Sequence, residues 1–274
     1  MKKMKNLLAG ITITALFLAA PSSQAYTMQW EPNPFTSDEG NWTIQENNSA
    51  NGNNFGWVNS SRAGGTAGEL GGRIADYVQK AYVLRELDVP INSGDEMHFR
   101  GILMMTNTEQ FVTGSGQDVN VWLGYFDKAT APEGSRMGFR TYSPSTTGDP
   151  AASYRGRARM NGGANQSYIT INQGVSYEFE AWWQPSATPG VGTFSGHIGA
   201  TSWNVANYNA GTGTYDMFGV AWSESSATPG LNYYLYLDNL EYLVPIPEPS
   251  AALMVMLGGP ALWLTRRVRN LRRI

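Results

Sequence analysis

The chain has 274 residues, no cysteine and a formal net charge of −3. The lack of cysteine excludes disulfides, zinc–thiolate sites and cysteine nucleophiles. Three lysines lie in the first five residues and five arginines in the last nine, so the segment between them holds 11 basic and all 22 acidic residues, a net charge near −11. Such an acidic body is unsuited to nucleic acid, whose binding depends on neutralising phosphates with Lys and Arg.

The first 25 residues have the three parts of a secretory signal peptide. The lysines precede an apolar run at 7–20, and the small residues Ser23 and Ala25 then occupy the −3 and −1 positions of a cleavage site. The apolar run is shorter than the roughly 20 residues that span a bilayer. A cleaved signal peptide is therefore favoured over an N-terminal anchor, and the mature chain is expected to start near Tyr26.

The C-terminal segment 245–274 is predicted to be a membrane-spanning tail that follows the body. The triplet Pro247, Glu248 and Pro249 precedes an apolar stretch, predicted as a transmembrane helix over 250–265, and an Arg-rich end follows at 266–274. An excess of arginine beside an apolar segment keeps that end in the cytoplasm. The body, 26–244, is therefore expected outside the inner membrane.

These three parts in this order resemble the PEP-CTERM sorting signal. The resemblance implies a Gram-negative bacterium, removal of the leader by signal peptidase, and recognition of the tail by the membrane protease-transpeptidase exosortase. Processing near the Pro-Glu-Pro triplet would release the body or transfer it to the cell surface. The alternative is an ordinary single-span anchor, which the short apolar stretch and the prolines disfavour.

The body is predicted to be one all-β domain. Short runs with alternating apolar residues recur between Gly, Pro and Asn clusters, which is typical of a sandwich or barrel. The stretch 74–87 leaves room for one helical turn and is otherwise predicted as strand. The further predicted strands are 97–105, 119–126, 167–172, 177–182, 193–198, 216–222 and 233–238. A Ser-Ala-Thr-Pro-Gly sequence at 186–190 and again at 226–230 predicts two type II turns.

Two segments resemble concanavalin A-like or laminin-G-like jelly rolls: the Gly-rich 64–72 and the sequence Tyr-Leu-Asp-Asn-Leu at 236–240. The resemblance implies a single two-sheet antiparallel β-sandwich. It also implies a structural calcium, because related jelly rolls tie an early strand to the last one through an acidic residue at each end plus backbone carbonyls. Glu69 and Asp238 match that placement, and calcium prefers oxygen ligands.

Trp182 is the leading candidate for stacking on a sugar, since strand alternation puts it on one face with Glu178 and Glu180. A rise of about 3.3 Å per residue separates the two carboxylates by roughly 6.6 Å, within the range for inverting glycosidases. However, families of this fold that hydrolyse β-glucans carry a third acidic residue further along the strand, where Trp182 and Trp183 stand here. We therefore expect no catalytic residues, and structural or surface roles for His98 and His197.

A second candidate surface is the stripe of Arg155, Arg157 and Arg159, which alternation places on one strand face. Guanidinium groups pair with the carboxylate or sulfate groups of an anionic polysaccharide, although a solvated face that offsets nearby acids is the plainer interpretation. Three functions stay open. Non-catalytic association with extracellular polysaccharide is the leading one, and a structural matrix component without a sugar site and a glycan-active enzyme are the alternatives.

Overall fold

The computed structural model describes residues 25–30, 42–45, 54–65, 67–75, 80–106, 119–131, 135–142, 153–160, 169–224 and 232–246. Within these ranges the secondary structure consists of fifteen strands and no helix. The strands are β1 (Ala25–Trp30), β2 (Trp42–Gln45), β3 (Gly56–Val58), β4 (Glu69–Ala75), β5 (Lys80–Asn92), β6 (Met97–Thr106), β7 (Val119–Phe126), β8 (Arg136–Tyr142), β9 (Ser153–Met160), β10 (Ile169–Asn172), β11 (Ser176–Pro185), β12 (Val191–Ile198), β13 (Thr201–Asn209), β14 (Thr214–Glu224) and β15 (Asn232–Ile246).

The strands form two antiparallel sheets. The first sheet has the order β13-β12-β11-β6-β15-β4-β3, with β1 also paired to β15, and the second has the order β10-β9-β8-β7-β14-β5-β2. The chain changes sheet on entering and leaving β2, at each step from β4 to β7, from β10 to β11, and on entering and leaving β14. The fold is therefore a two-sheet jelly roll, as the sequence predicts.

The core lies between the two sheets and is rich in aromatic rings. Phe99 of the first sheet meets Tyr125, Phe139 and Phe218 of the second, with ring centroids 5.4 to 6.0 Å apart in edge-to-face geometry. The buried Tyr125 hydroxyl donates to the carbonyl oxygens of His98 and Leu243, at 2.7 and 3.0 Å. These contacts show which residues of each strand face the core. The residues that alternate with them point outward.

Six of the predicted strands agree with the observed ones to within three residues at their ends, whereas β15 runs eight residues past the predicted end at 238. The stretch 74–87 contains strand on both sides of 76–79, which the structure does not describe. The predicted turn at 186–190 joins β11 to β12. The amide of Val191 donates to the carbonyl of Thr188 at 3.1 Å, and Gly190 has φ +71°, as a type II turn requires. The matching sequence at 226–230 lies outside the described residues.

The two ends of the sandwich are paired with each other. In the register of β1 with β15, Ala25 lies opposite Ile246 and Trp30 opposite Glu241. The strands thus reach two residues past the predicted domain end at position 244. In the described part of the chain no helix has the length and hydropathy needed to cross a membrane; the predicted leader before Ala25 and the predicted tail after Ile246 lie outside it.

Candidate functional site

The outer face of β11 carries the residues that the sequence singles out. Phe179, Ala181 and Trp183 are buried in the core, at 1% exposed or less. Strand alternation therefore points Glu178, Glu180 and Trp182 away from the core, on the outer face of the first sheet. The predicted shared face of these three side chains is thus present.

Trp182 is the exposed tryptophan among those whose side chains the structure describes, with 36% of its surface accessible. Its ring is stacked on the His98 ring, with centroids 5.2 Å apart and planes 11° apart. Its indole nitrogen donates to Oε1 of Glu96 at 2.8 Å. His98 covers one face of the indole, and Glu96 binds its nitrogen. These two contacts hold the ring in place, and the rest of its surface is accessible to a ligand.

Glu180 is the centre of a small cluster beside Trp182. His98 Nε2 lies 2.6 Å from its Oε1, and His197 Nδ1 lies 3.7 Å from its Oε2. His197 is also its direct cross-strand partner on β12. The chain has two histidines, and both contact the same carboxylate. Strand alternation alone does not predict this contact.

A groove of about 320 Å³ runs from this cluster towards β15. Its polar lining includes Glu178, Arg100, Glu241 and Asn239. The Arg100 guanidinium is ion-paired with Glu241, and this hydrogen bond raises the pKa of Arg100. β15 shifts register between Asp238 and Glu241, and at this irregularity Asn239 adopts φ +51°. Bulges of this kind change the direction in which a side chain points. Here the residue at the bulge, Asn239, lines the groove.

The arrangement combines one accessible aromatic face with hydrogen-bond donors and acceptors along a groove. The guanidinium of Arg100, the amide of Asn239 and the carboxylate of Glu178 offer both donors and acceptors. Small-molecule sites combine apolar and aromatic surface with a few placed polar groups in this way. A sugar ring, which has an apolar face and a hydroxyl rim, is chemically suited to it.

The residues of this site come from the four strands β6, β11, β12 and β15 and from the turn before β6, so the sequence alone could not show that they meet. His98, Arg100 and Glu241 join Glu180 only because β6 lies between β11 and β15. The sequence carries one usable signal, the presence of only two histidines in predicted strands. Without the strand order, nothing brings them to the same carboxylate.

Glu69 and Asp238 are both completely buried and lie under the loop that precedes β4. Oε1 of Glu69 accepts from Ser60 Oγ at 2.5 Å and from the Arg62 amide at 2.8 Å, and Oε2 accepts from the Ala63 amide at 2.8 Å. Glu69 therefore anchors this loop. Its carboxylate binds the loop backbone, a role that the sequence did not predict.

Asp238 is the less satisfied of the two carboxyls. Its Oδ1 accepts from the Asn239 amide at 2.8 Å, whereas its Oδ2 is buried without a hydrogen-bond partner in the described part of the chain. Burial raises the pKa of Asp238 and the charge of Glu69 adds to it, whereas the backbone amides of Asn239 and Gly65 oppose it. A β-carbon on Gly65 would lie 1.5 Å from Oδ2, so the glycine is what lets the loop cover this oxygen.

The buried Oδ2 fits the predicted calcium, because a divalent cation would bind this oxygen and neutralise the two carboxylates. Among the described residues no group of three or more His, Cys, Asp or Glu side chains could hold a metal. Backbone carbonyls of the loop would have to supply the remaining ligands. Calcium binding by Glu69 and Asp238 thus stays a prediction that the donor chemistry allows.

Addition of Ca²⁺ to the full-length protein in mild detergent is expected to raise its melting temperature. At about 100 times its Kd the ion would add about 2.7 kcal/mol, which for a domain of this size is roughly 5–10 °C. Asp238→Asn should abolish the shift, and the exposed Glu178→Gln should retain it. Differential scanning calorimetry with Ca²⁺, Mg²⁺ or chelator tests this. A wild-type protein insensitive to Ca²⁺, or a shift that Asp238→Asn leaves intact, would rule the site out.

The predicted arginine stripe is on the other side of the molecule. Arg155, Arg157 and Arg159 belong to β9 of the second sheet. A β-carbon on the adjacent Gly156 would touch Ile171 and Ile198 in the core, so position 157 faces outward. The side chain of Arg157 is half-buried; those of the other two are not described. The stripe and Trp182 therefore cannot contact the same sugar unit.

The chain matches no known family model and none of the curated proteins. Among solved structures it is similar to a basic winged bean lectin with Tn-antigen, 9% identical, with a TM-score of 0.49 over 81% of this chain and 100% of the lectin. It is also similar to the family 7 alginate lyase A1-II′ in complex with substrate, 12% identical, with a TM-score of 0.45 over 79% and 100%. The cellulose induced protein Cip1 is 12% identical, with a TM-score of 0.47 over 76% and 94%. The likeness is one of fold alone.

Proposed function

We propose that the protein is an exported, exosortase-sorted surface or matrix protein that binds extracellular polysaccharide without cleaving it. The observation that carries the proposal is Trp182, an accessible indole held by His98 and Glu96 beside a polar groove on an outer sheet face. A buried aromatic would serve the core, whereas a fixed and exposed one offers a preformed contact surface. Preformed sites bind at a lower entropic cost.

The ion pairs of the groove support a binding role over a catalytic one. Glu180 is engaged by His98 and His197, and Glu241 by Arg100. Carboxylate oxygens are hydrogen-bond acceptors for ligand hydroxyls, and these contacts hold them in place along the groove. A hydrolytic pair instead needs one carboxyl that donates a proton and another that attacks or activates water.

Glycan cleavage is the second candidate function, and the His98–Glu180 contact of 2.6 Å favours it. A carboxylate can orient a histidine that acts as a general base. His98 is, however, stacked beneath Trp182 with its side chain 14% exposed. Access of a substrate to this ring would require Trp182 to move.

Export and sorting rest on the sequence, and the extent of the sandwich supports them. The first strand begins at Ala25, the last residue of the predicted leader, and the final strand ends at Ile246, immediately before the Pro-Glu-Pro triplet. The described strands thus lie between the two predicted processing points, except for Ala25, which is on the leader side of the first. Both ends of that body are held side by side by the β1–β15 pairing.

Trp182→Ala is expected to reduce retention of the full-length protein on its polysaccharide at least roughly tenfold, equivalent to about 1.4 kcal/mol. Trp182→Phe should retain part of the binding, because it keeps an aromatic face. Val175→Ala, which truncates a side chain 43% exposed elsewhere on the surface, is the control and should bind normally. Affinity electrophoresis against neutral and anionic polysaccharides measures the effect.

Release of reducing or unsaturated ends should be scored in the same samples, with and without calcium. Retention without product supports the binding function. Product that disappears in Glu180→Gln and His98→Gln would replace it with the catalytic one. An absence of both retention and product across the panel would favour a structural matrix component.

A further inference from the structure

The two histidines of the chain share one carboxylate on the outer face of the first sheet. His98 Nε2 lies 2.6 Å from Oε1 of Glu180, and His197 Nδ1 lies 3.7 Å from Oε2. The three side chains stand on the neighbouring strands β6, β11 and β12, and each is partly exposed. Since the sequence has two histidines in all, every side chain of this type, which ordinarily titrates between pH 5 and 8, belongs to this cluster.

A proton on either imidazole has a partner in place. His98 contacts the carboxylate of Glu180 through its ring nitrogen and the indole of Trp182 through its ring face. An imidazolium is attracted to both, by a charge-assisted hydrogen bond to the first and by cation–π contact with the second. His197 faces the other oxygen of the same carboxylate. Protonation therefore adds positive charge beside Trp182 without leaving a buried charge unpaired.

The fixed charges around this cluster are mostly negative. The groove is lined by one guanidinium, that of Arg100, and by the three carboxylates of Glu178, Glu180 and Glu241. Glutamate and arginine side chains ordinarily keep their charge between pH 5.5 and 8. With both imidazoles neutral, three negative charges and one positive charge leave the lining at −2; two protons bring the same surface to zero. The further carboxylate beyond the indole, Glu96, makes the neutral-pH surface more negative still.

The neighbouring elements bring one other group whose titration has to be separated from that of the histidines. β12 and β13 carry no charged side chain besides His197. Beneath the sheet, the Tyr125 hydroxyl donates to the His98 carbonyl, and burial raises its pKa above the ordinary value. On β15, burial also raises the pKa of the Asp238 carboxyl, which lies under the loop that precedes β4.

We propose that the cluster of His98, Glu180 and His197 is a pH-dependent charge filter for the Trp182 groove, an inference that rests on the proposed polysaccharide-binding function. With both histidines neutral, the negative lining repels anionic polysaccharide, and uncharged polysaccharide is preferred. With both protonated, this repulsion is lost and anionic chains are retained as well. Juxtaposed like charges discriminate against wrong partners in this way. The cluster thus sets the class of polysaccharide, while Trp182 supplies the contact common to both classes.

Iodide and acrylamide quenching of Trp182 fluorescence tests the filter without a polysaccharide, because iodide is an anion and acrylamide is uncharged. Full-length protein in mild detergent is measured at pH 8 and at pH 5.5, at a constant ionic strength of about 0.1 M. The difference between wild type and Trp182→Phe isolates the signal of this ring. We expect the iodide quenching constant to rise at least roughly twofold on acidification, with the acrylamide constant unchanged. An equal rise of both would report greater exposure of the ring and overturn the proposal, as would no rise in the iodide constant.

His98→Gln/His197→Gln should abolish the rise in iodide quenching. His197→Gln alone leaves His98 stacked on Trp182 and should remove about half of the rise, so it decides the question if the double variant does not fold. Asp238→Asn should keep the full rise. A rise that survives loss of both histidines, or one that disappears in Asp238→Asn, would overturn the proposal.

Ala187→His, added to the variant without histidines, is the matched control. It returns one titrating charge to the exposed turn at 186–190. That position is about 20 Å from Glu180 along the chain, beyond the Debye length of about 10 Å at this ionic strength. It should therefore not restore the rise. Restoration would mean that the net charge of the protein, and not the cluster, governs the approach of anions.

Dextran sulfate and dextran share one backbone and extend the test to polysaccharide, since the sulfate groups stay ionised throughout this pH range. We expect retention of dextran sulfate to rise roughly fivefold from pH 8 to pH 5.5, retention of dextran to be independent of pH, and both to be lost in Trp182→Ala. Dextran sulfate retention that does not change with pH would overturn the filter. If neither dextran is retained at either pH, the proposed binding function fails for these probes, and the iodide result alone decides whether the groove filters by charge.

Discussion

Glu69→Ala is expected to lower the free energy of unfolding by about 3–5 kcal/mol, because it leaves three donors of the covering loop without an acceptor. Each orphaned buried donor costs about 1–3 kcal/mol, and two of these three are only partly buried, which favours the lower half of the sum. The loop would lose its attachment above Asp238 as well. Chemical denaturation followed by tryptophan fluorescence measures the loss.

Glu178→Ala is the matched control, since it removes a carboxylate from the same outer sheet face at an exposed position. Its stability should change by no more than about 0.5 kcal/mol. Glu69→Gln should fall between the two, because the amide keeps one acceptor oxygen and turns an NH₂ group towards a donor. Equal stabilities of Glu69→Ala and Glu178→Ala would show that Glu69 does not anchor the loop.

The faces of individual strands could be predicted from the sequence because burial on one side imposes alternation. On β11 the buried Phe179, Ala181 and Trp183 alternate with Glu178, Glu180 and Trp182, and the pattern needs no knowledge of neighbouring strands. The proline and glycine of the turn at 186–190 are equally local. The strand faces and this turn could therefore be predicted from two local effects. These are the backbone conformations that proline and glycine favour and the burial of every second residue in a strand.

Contacts between strands were beyond prediction, because they depend on order and register. The sequence placed Trp182 and the arginines of β9 on two separate candidate surfaces, and only the strand order shows that their strands belong to different sheets. It also assigned His98 and His197 structural or surface roles without relating the two residues, and both meet Glu180 in the folded protein. The distance between these residues along the chain predicts neither the sheet to which each strand belongs nor the contact of both histidines with Glu180.

The glycines of β7, β8 and β14 show an intermediate case. Isolated glycines within apolar runs at 124, 138 and 219 are visible in the sequence, and each signals a close approach to the backbone. Only the register reveals that the three are adjacent and that Arg136 reaches over them to Trp122. The glycines can be recognised in the sequence, but that they are neighbours in the sheet cannot be predicted from it.

Gly138→Ala is expected to destabilise the protein by about 3–5 kcal/mol, above the range usual for overpacking. The added carbon would lie 1.9 Å from the Leu123 carbonyl oxygen and 2.8 Å from its carbonyl carbon. These are backbone atoms of the paired strand, so the clash can be relieved only by separating β8 from β7. Overpacking in a core costs typically 1–3 kcal/mol, and a rigid backbone obstacle places this substitution above that range.

Gly94→Ala provides the matched comparison, because a β-carbon there has no heavy atom within 4 Å. It should leave stability unchanged within about 0.5 kcal/mol, whereas Gly138→Ala should lose stability. Urea unfolding of both variants measures the difference. If the two alanines are equally tolerated, β7 and β8 do not approach each other as closely as the register of Gly124 with Gly138 requires.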